Sequence, residues 1–170
     1  GLSLVIGMAI IKSIEEEYQL EGLKIKWPND VYYGNNKLAG ILMENNIHKG
    51  AQYVVIGVGV NYQLDQKINI DIPWTDLAQI LKKLPSFDTL TAAFIKNILA
   101  MSKDFESKGL SNLLSEWSDY DMLKGVKIRS KNSKEIFEGE VDGISEHGAL
   151  RILTTDGVKE VYSSIHIEYI

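Results

Sequence analysis

A chain of 170 residues, of which 45% are hydrophobic and 24% charged, is long enough to bury one core and leaves room for a small second unit. Its formal net charge of −5 argues against nucleic acids as partners, because binding phosphates requires clustered lysine and arginine, so we expect no DNA binding by this chain. The absence of cysteine excludes disulfides and thiolate metal sites and fits a cytoplasmic location, and the longest apolar run, residues 2–11, is too short to span a membrane.

The chain is predicted to open with a buried helix over residues 2–18, which ends in a solvent-facing run of glutamates. Its apolar side chains recur at the helical spacing of three and four: Leu4, Val5, Met8, Ile11 and Ile14. Because the sequence begins with Gly1 and passes at once into this apolar run, we expect further sequence upstream of it.

Three strands are predicted around a polar corner. The alternation of apolar residues with Lys24 and Lys26 predicts a half-buried strand over residues 23–27, which Pro28 ends because it lacks the N–H group that a ladder needs. Residues 31–33 and 37–43 follow as two more strands, joined by a Gly-Asn-Asn turn. The polar residues between the strands are gathered at one bend, which indicates the floor of a binding site.

The most β-prone run of the chain, residues 51–60, follows a polar turn predicted over residues 45–50. Because the run is almost continuously apolar, we expect this strand to be covered on both faces and to be central in its sheet. Gly57 and Gly59 within it indicate that another group approaches the backbone closely. They are not a dinucleotide fingerprint, since Tyr62 occupies the position of the third glycine.

Helices and a second unit complete the prediction. Helical spacing is found over residues 77–84, from a cap at Thr91 to Gly109, and over residues 110–117. From residue 122 onward short strands alternate with turns at residues 130–134, 146–148 and 155–157. Four or five strands in so short a segment predict a small β-barrel, which gives domains of residues 1–120 and 121–170.

Several polar residues near the corner fit both a structural and a functional interpretation. Asn29 and Asp30 are typical turn formers as well as typical site residues, and Trp27 alone is typical of a core. Lys37, at the start of a strand, is either a charge that protects a sheet edge or a ligand-binding group. The residues by themselves therefore predict a two-domain α/β binding protein with a polar pocket near residues 27–61.

Three segments in this order resemble the biotin protein ligase family: Lys26-Trp27-Pro28-Asn29-Asp30, Lys37-Leu38-Ala39-Gly40-Ile41-Leu42 and Gly57-Val58-Gly59-Val60-Asn61. The resemblance covers essentially the whole chain. It implies an α/β (α+β) fold, namely part of a mixed sheet of the class II synthetase and biotin ligase type with packing helices, followed by a small SH3-like β-barrel. It also implies a biotin–[acetyl-CoA-carboxylase] ligase, which forms biotinyl-5′-AMP from biotin and ATP with Mg²⁺ and transfers biotin to a lysine of a biotin carboxyl carrier domain.

The resemblance implies roles for individual residues. Lys37 is expected to be catalytic, because a fixed ammonium stabilises the negative charge that builds up at the α-phosphate. Asp30 is expected either to bind Mg²⁺ or to act on the incoming carrier lysine as a proton acceptor. Biotin binding is expected of Lys37, Gly40, Leu42, Gly57 and Val60, and ATP binding of Trp27, Asn29 and Asn61.

The family's Gly-Arg-rich loop over biotin, and the DNA-binding domain of some members, lie upstream of the resembling segments and outside these 170 residues. We therefore expect the chain by itself to be inactive and to bind little biotin. Two alternatives stay open: a truncated, non-catalytic ligase-like binding module, and a lipoate-ligase-like acyltransferase. A homodimer formed near residues 43–50 at a sheet edge is implied by the resemblance alone.

Overall fold

The computed structural model of the chain describes residues 1–65, 67, 71–131, 136–164 and 167–170. These residues form helices packed on two antiparallel sheets, which confirms the α+β fold class. The helices are α1 (Leu2–Tyr18), α2 (Leu77–Ile80), α3 (Phe87–Lys108) and α4 (Ser111–Tyr120). The first sheet consists of β1 (Leu23–Lys26), β2 (Asp30–Tyr33), β3 (Asn36–His48) and β4 (Ala51–Val60), and the second of β5 (Lys127–Lys131), β6 (Ile136–Ile144), β7 (Leu150–Thr154), β8 (Gly157–Val161) and β9 (Ile167–Tyr169).

Helix α1 forms the centre of the core, and its predicted bounds and its five predicted apolar residues are confirmed. Ile6 and Ile10, on other sides of the helix, are fully buried as well, because α1 contacts both the first sheet and α3. A Cβ atom on Gly7 would lie 3.4 Å from Ile25 of β1. This glycine therefore lets the helix approach the sheet closely.

The first sheet has the strand order β1-β2-β3-β4 and is antiparallel throughout. Successive side chains of a strand point to opposite faces. Ile25 and Val31 are opposite each other in register and are buried on the face that packs against α1. The other face, called the open face below, carries Lys26, Asp30 and Gly40 in one row across β1, β2 and β3.

Strand β4 lies at the edge of the first sheet in the described residues, so its predicted central position was wrong. Tyr53, Val54 and Val55 are 43–48% exposed. The apolar composition of β4 favours burial, but whether other elements cover the strand depends on segments that are distant in sequence. The predicted turn over residues 45–50 was also too long, because β3 continues to His48 and only Lys49 and Gly50 make the turn, with φ angles of 50° and 80°.

The helices after the first sheet differ from the prediction in their bounds: α2 begins at Leu77 as predicted but ends at Ile80 rather than at residue 84, and α3 begins earlier than predicted. Helix α2 is a single turn, and the side chain of Asp76 accepts a 2.8 Å hydrogen bond from the backbone N–H of Gln79. Helix α3 begins at Phe87 rather than after Thr91, whose hydroxyl donates to the carbonyl of Phe87 inside the helix. Its predicted end at Gly109, where φ is 61°, is confirmed. None of the helices in the described part of the chain has the length and apolar character needed to cross a membrane.

The second sheet has the strand order β8-β7-β6-β5-β9, in agreement with the four or five strands predicted. The turn predicted at residues 130–134 falls partly in β5, and its residues 132–134 lie outside the described residues. Hydrogen bonds connect β1 of the first sheet and the corner after it to the segment before the second sheet and to the turn between β6 and β7. The indole N–H of Trp27 donates to the carbonyl of Gly148 at 2.9 Å, and the N–H of Met122 donates to the carbonyl of Ile25 at 3.0 Å. The domain boundary near residue 120 stays a prediction.

Candidate functional site

Lys37 and Asp30, the two predicted catalytic residues, form a salt bridge on the open face of the first sheet. The distance from Lys37 Nζ to Asp30 Oδ1 is 2.7 Å, and the two side chains are 28% and 23% exposed. A register shift between Val31 and Tyr32, where Leu38 of β3 has no partner in β2, places Tyr32 opposite Lys37 and leaves Asp30 opposite Gly40. The pair is therefore partly shielded from water and still accessible to a ligand.

Gly40 lies beneath this salt bridge. A Cβ atom at residue 40 would lie 3.2 Å from Asp30 Oδ1 and 3.3 Å from Lys37 Nζ. Contacts of this length require the flexible ends of the two charged side chains to shift by a few tenths of an ångström. The glycine therefore leaves room for the salt bridge, whereas the sequence analysis assigned Gly40 only to the wall of the biotin site.

The backbone of Lys37 is held by a segment that is distant in sequence. The N–H of Lys37 donates to the carbonyl of Pro73 at 2.9 Å, and the N–H of Thr75 donates to the carbonyl of Lys37 at 3.0 Å. The carboxamide of Asn61 donates to the carbonyls of Lys37 and Thr75, at 3.2 and 2.9 Å. Asn61 therefore ties together the end of β4, the start of β3 and the segment before α2.

An open cavity of about 340 Å³ lies next to Lys37. Its lining consists of Lys37, Ala39, Gly40, Gly59, Val60, Asn61, Ile72 and Trp74. Ile72 and Trp74 were missed by the sequence analysis, which treated the polar stretch before α2 as irregular. The one feature of the sequence that could have indicated Trp74 is its position directly after Pro73, between β4 and α2. The cavity therefore combines a cation, glycine backbone and an aromatic ring.

The remaining biotin-binding candidates lie on both faces of the sheet. Leu42 and Gly57 are opposite each other in register and share the open face with Gly40. Val60 is opposite Ala39, whose side chain is buried on the α1 face, so the side chain of Val60 points away from the open face. The structure therefore brings Leu42 and Gly57 into line with the salt bridge, whereas Val60 reaches the cavity through its backbone.

Two of the ATP-binding candidates are engaged in packing. Trp27 is only 4% exposed, and its indole N–H is bonded to Gly148 in the turn between β6 and β7. The carboxamide of Asn29 donates to the carbonyl of Ile41 at 2.7 Å, which fastens the corner to β3. Both side chains thus shape the walls around the site through bonds within the protein.

The described residues do not form a metal site by themselves. No group of three or more histidine, cysteine, aspartate or glutamate side chains in that part of the chain could hold a metal ion. Asp30, the predicted Mg²⁺ ligand, already has the ammonium of Lys37 at 2.7 Å. Asp30 can therefore supply at most one ligand, and a Mg²⁺ ion at this place would take its other oxygen ligands from substrate phosphates and water.

Comparison with known families gives two matches, which together cover the first sheet and β5 to β8 of the second. Residues 1–61 match the biotin/lipoate A/B protein ligase family, and residues 124–165 match the biotin protein ligase C-terminal domain. The chain belongs to the biotin protein ligase family. The predicted resemblance is therefore confirmed at both ends of the chain.

Similar biotin protein ligases occur among bacterial proteins. The chain is 36% identical over 163 residues to the bifunctional ligase/repressor BirA of Escherichia coli, covering 93% of this chain and 49% of that protein. It is 29% identical over 170 residues to the protein of the same name from Bacillus subtilis, covering 96% of this chain and 51% of that protein. The chain thus spans about half the length of these relatives.

Solved structures of biotin protein ligases confirm the fold. The ligase from Aquifex aeolicus superimposes with a TM-score of 0.82 at 26% identity, covering 99% of this chain and 73% of that one. A structure of that ligase in complex with biotin and ATP gives a TM-score of 0.80 at 26% identity, covering 99% and 70% of the two chains. The arrangement of both sheets is therefore that of a biotin protein ligase.

Proposed function

We propose that the intact protein is a biotin–[acetyl-CoA-carboxylase] ligase, which makes biotinyl-5′-AMP from biotin and ATP and transfers biotin to a lysine of a carrier domain. The observation that carries this proposal is the Lys37–Asp30 salt bridge beside a cavity that contains Trp74. The ligase names of the relatives and the Aquifex aeolicus complex with biotin and ATP support it. Biotin and ATP are thus the proposed substrates.

In the first proposed step, a carboxylate oxygen of biotin attacks the α-phosphorus of ATP, and the bond to pyrophosphate breaks. Both reactants are anions, so their approach needs a positive charge between them. The ammonium of Lys37 is the cation next to the cavity, and it stabilises the charge that develops on the phosphate oxygens. Because its present partner is Asp30, Lys37 exchanges one anion for another when the phosphate arrives.

In the second proposed step, the amine of the carrier lysine attacks the carbonyl carbon of biotin, and AMP leaves. The amine has to lose a proton before or during this attack. Asp30 lies on the open face, 2.7 Å from Lys37 Nζ, and becomes available as a proton acceptor once Lys37 contacts the phosphate. Neither step is routed through a metal ion, and the role of Asp30 as a Mg²⁺ ligand stays a prediction from the resemblance.

The cavity suggests where the substrates bind. The indole of Trp74 offers a flat apolar surface on which an adenine base can stack. Gly40, Leu42 and Gly57 form an open, apolar strip on the same face as Lys37, and we assign biotin to it. Asn61, Asn29 and Trp27 are proposed to position these walls, since their side chains bond within the protein.

Biotin is favoured over lipoate as the acyl group because residues 124–165 match the C-terminal domain specific to biotin protein ligases. The proposed partner is therefore the biotin carboxyl carrier domain of a carboxylase. A homodimer through the edge of the first sheet, the absence of DNA binding and the cytoplasmic location stay predictions from the sequence.

Labelling of a carrier domain tests the proposal. The intact protein is incubated with biotin, ATP, Mg²⁺ and a biotin carboxyl carrier domain, and the carrier is expected to gain the mass of one biotin. Lys37→Ala is expected to abolish adenylate formation, whereas Lys82→Ala, which changes an exposed lysine outside the site, is expected to retain it. Labelling with lipoate in place of biotin, or normal labelling by Lys37→Ala, contradicts the proposal.

A further inference from the structure

A lysine and two tyrosines lie beside the proposed catalytic pair and have no role in the steps described above. The ammonium of Lys26 lies 5.4 Å from the ring centroid of Tyr32 and 4.7 Å from that of Tyr169. Both distances are within the range of about 6 Å at which a cation is attracted to an aromatic ring. Tyr169 belongs to β9, so the second sheet supplies one of the two rings.

The register of the first sheet makes this position of Lys26 unexpected. Lys26 is directly opposite Asp30 in the β1–β2 ladder, and opposite charges in such positions normally attract each other. The salt bridge of Asp30 is nevertheless made with Lys37, which is not its partner in the β2–β3 ladder. The ammonium of Lys26 therefore makes cation–π contacts with two tyrosine rings, although the carboxylate of Asp30 lies on the neighbouring strand.

Burial and electrostatics place the two tyrosines next to the same carboxylate. Tyr32 is only 7% exposed, although its side chain lies on the open face. Burial raises the pKa of Tyr32, and the charge of Asp30 adds to the rise. Burial also raises the pKa of Tyr169, with further contributions from Tyr32 and Asp30. The tyrosine rings and the Lys37–Asp30 pair are thus parts of one electrostatic cluster.

We propose that Tyr32 and Tyr169 are positioning residues, which hold the ammonium of Lys26 away from Asp30 so that Asp30 pairs with Lys37 alone. Without the ring of Tyr169, the ammonium of Lys26 moves to the carboxylate of Asp30. Asp30 is then drawn away from Lys37 and from its position above Gly40. Through Tyr169, the second sheet thus determines which lysine pairs with Asp30. The consequence for catalysis rests on the proposed function, whereas the placement of Lys26 does not.

Lysine NMR tests the placement without any enzymatic assay. In protein labelled with ¹³C-lysine, the ε-methylene signal of Lys26, identified by its absence in Lys26→Met, is expected upfield because of the ring currents. Tyr169→Phe keeps the ring and the upfield shift. Tyr169→Leu moves the Lys26 signal towards that of an exposed lysine and changes the Lys37 signal as well. Unchanged Lys26 and Lys37 signals in Tyr169→Leu overturn the proposal.

Tyr162→Leu is the matched control for this experiment. Tyr162 is also a tyrosine of the C-terminal part of the chain, it is 70% exposed, and its hydroxyl donates to Glu160. Its replacement is expected to leave the signals of both lysines in place. A change of the Lys26 signal in this variant shows that any loss of a tyrosine perturbs the sheet, which overturns the specific role of Tyr169.

Adenylate formation by the intact protein tests the consequence for catalysis. Tyr169→Leu is expected to lower kcat about fivefold, the factor that corresponds to one exposed cation–π contact. Adding Lys26→Met is expected to restore kcat, because no second ammonium remains to compete for Asp30. A double variant as slow as Tyr169→Leu overturns the positioning role in an active ligase. If the wild-type intact protein makes no adenylate, the proposed function fails, and the NMR result still decides the placement.

Discussion

The ammonium of Lys37 lies 2.7 Å from the carboxylate of Asp30, although the two residues are not opposite each other in the β2–β3 ladder. Two features of the strands make this contact possible. The register shift after Val31 moves Lys37 along β3 relative to β2, and Gly40 leaves the space in which the side chain of Lys37 folds back. The salt bridge therefore depends on backbone features as much as on the two charged residues.

Gly40→Ala is expected to shift the salt bridge and to lower the rate of adenylate formation by the intact protein a few-fold. Its Cβ atom would lie 3.2 Å from Asp30 Oδ1, so the flexible side-chain ends of Asp30 and Lys37 must move by a few tenths of an ångström, and the unfolding free energy should change by less than about 0.5 kcal/mol. Single-turnover kinetics and urea denaturation measure the two effects. In an Asp30→Asn background, which lacks the salt bridge but keeps Lys37, Gly40→Ala should cause no further loss of rate. A further loss would show that the glycine acts on something other than the salt bridge.

Asn61→Ala is expected to lower the unfolding free energy by about 1–2 kcal/mol, because two partly buried carbonyls each lose the hydrogen bond from the Asn61 carboxamide. The rate of adenylate formation should fall as well, since the end of β4 no longer holds the backbone carbonyls of Lys37 and Thr75. Asn112→Ala, which removes an exposed hydrogen bond to Asp104, is the control and should change stability by less than about 0.5 kcal/mol. Equal effects of the two substitutions would contradict the structural role of Asn61.

Trp74→Ala is expected to weaken ATP binding to the intact protein about tenfold, because stacking of one base on an aromatic ring contributes about 1–3 kcal/mol. Trp74→Phe retains a ring and is expected to lose less. Calorimetry with a non-hydrolysable ATP analogue measures both variants. The same affinity in the wild type and in Trp74→Ala would exclude the cavity next to Lys37 as the site of the base.

How much the sequence predicts depends on whether a feature is local. Helix α1 was predicted to its last residue because its apolar spacing is a property of one segment. The edge position of β4 and the turn of Trp74 into the cavity depend on segments that meet only in the fold. Lys37 and Asp30 were named from the family resemblance, but the distance between them requires the register of two strands. For the same reason the sequence could not show that Trp27 bonds to the turn between β6 and β7.

Trp27→Phe separates a structural role of Trp27 from the predicted role in ATP binding. The substitution keeps a buried aromatic ring and removes the N–H group that donates to Gly148. We expect a loss of about 1 kcal/mol in unfolding free energy and an unchanged affinity for ATP. Urea denaturation and calorimetry are the measurements. A weaker affinity for ATP at unchanged stability would support nucleotide binding by Trp27 and contradict its role as a tie between the sheets.

Asp121, between α4 and β5, is expected to make stability depend on pH. Burial raises its pKa above the ordinary value of 3.8, although Leu123 N–H and the indole N–H of Trp117 donate to it. The folded protein therefore holds the proton more tightly than the unfolded chain. The resulting stabilisation is complete below pH 3.8 and is lost as the pH rises through the raised pKa, by about 1.4 kcal/mol for each unit of the rise. Urea denaturation from acidic to neutral pH should show the wild type losing stability relative to Asp121→Asn, whereas a constant difference would contradict the raised pKa.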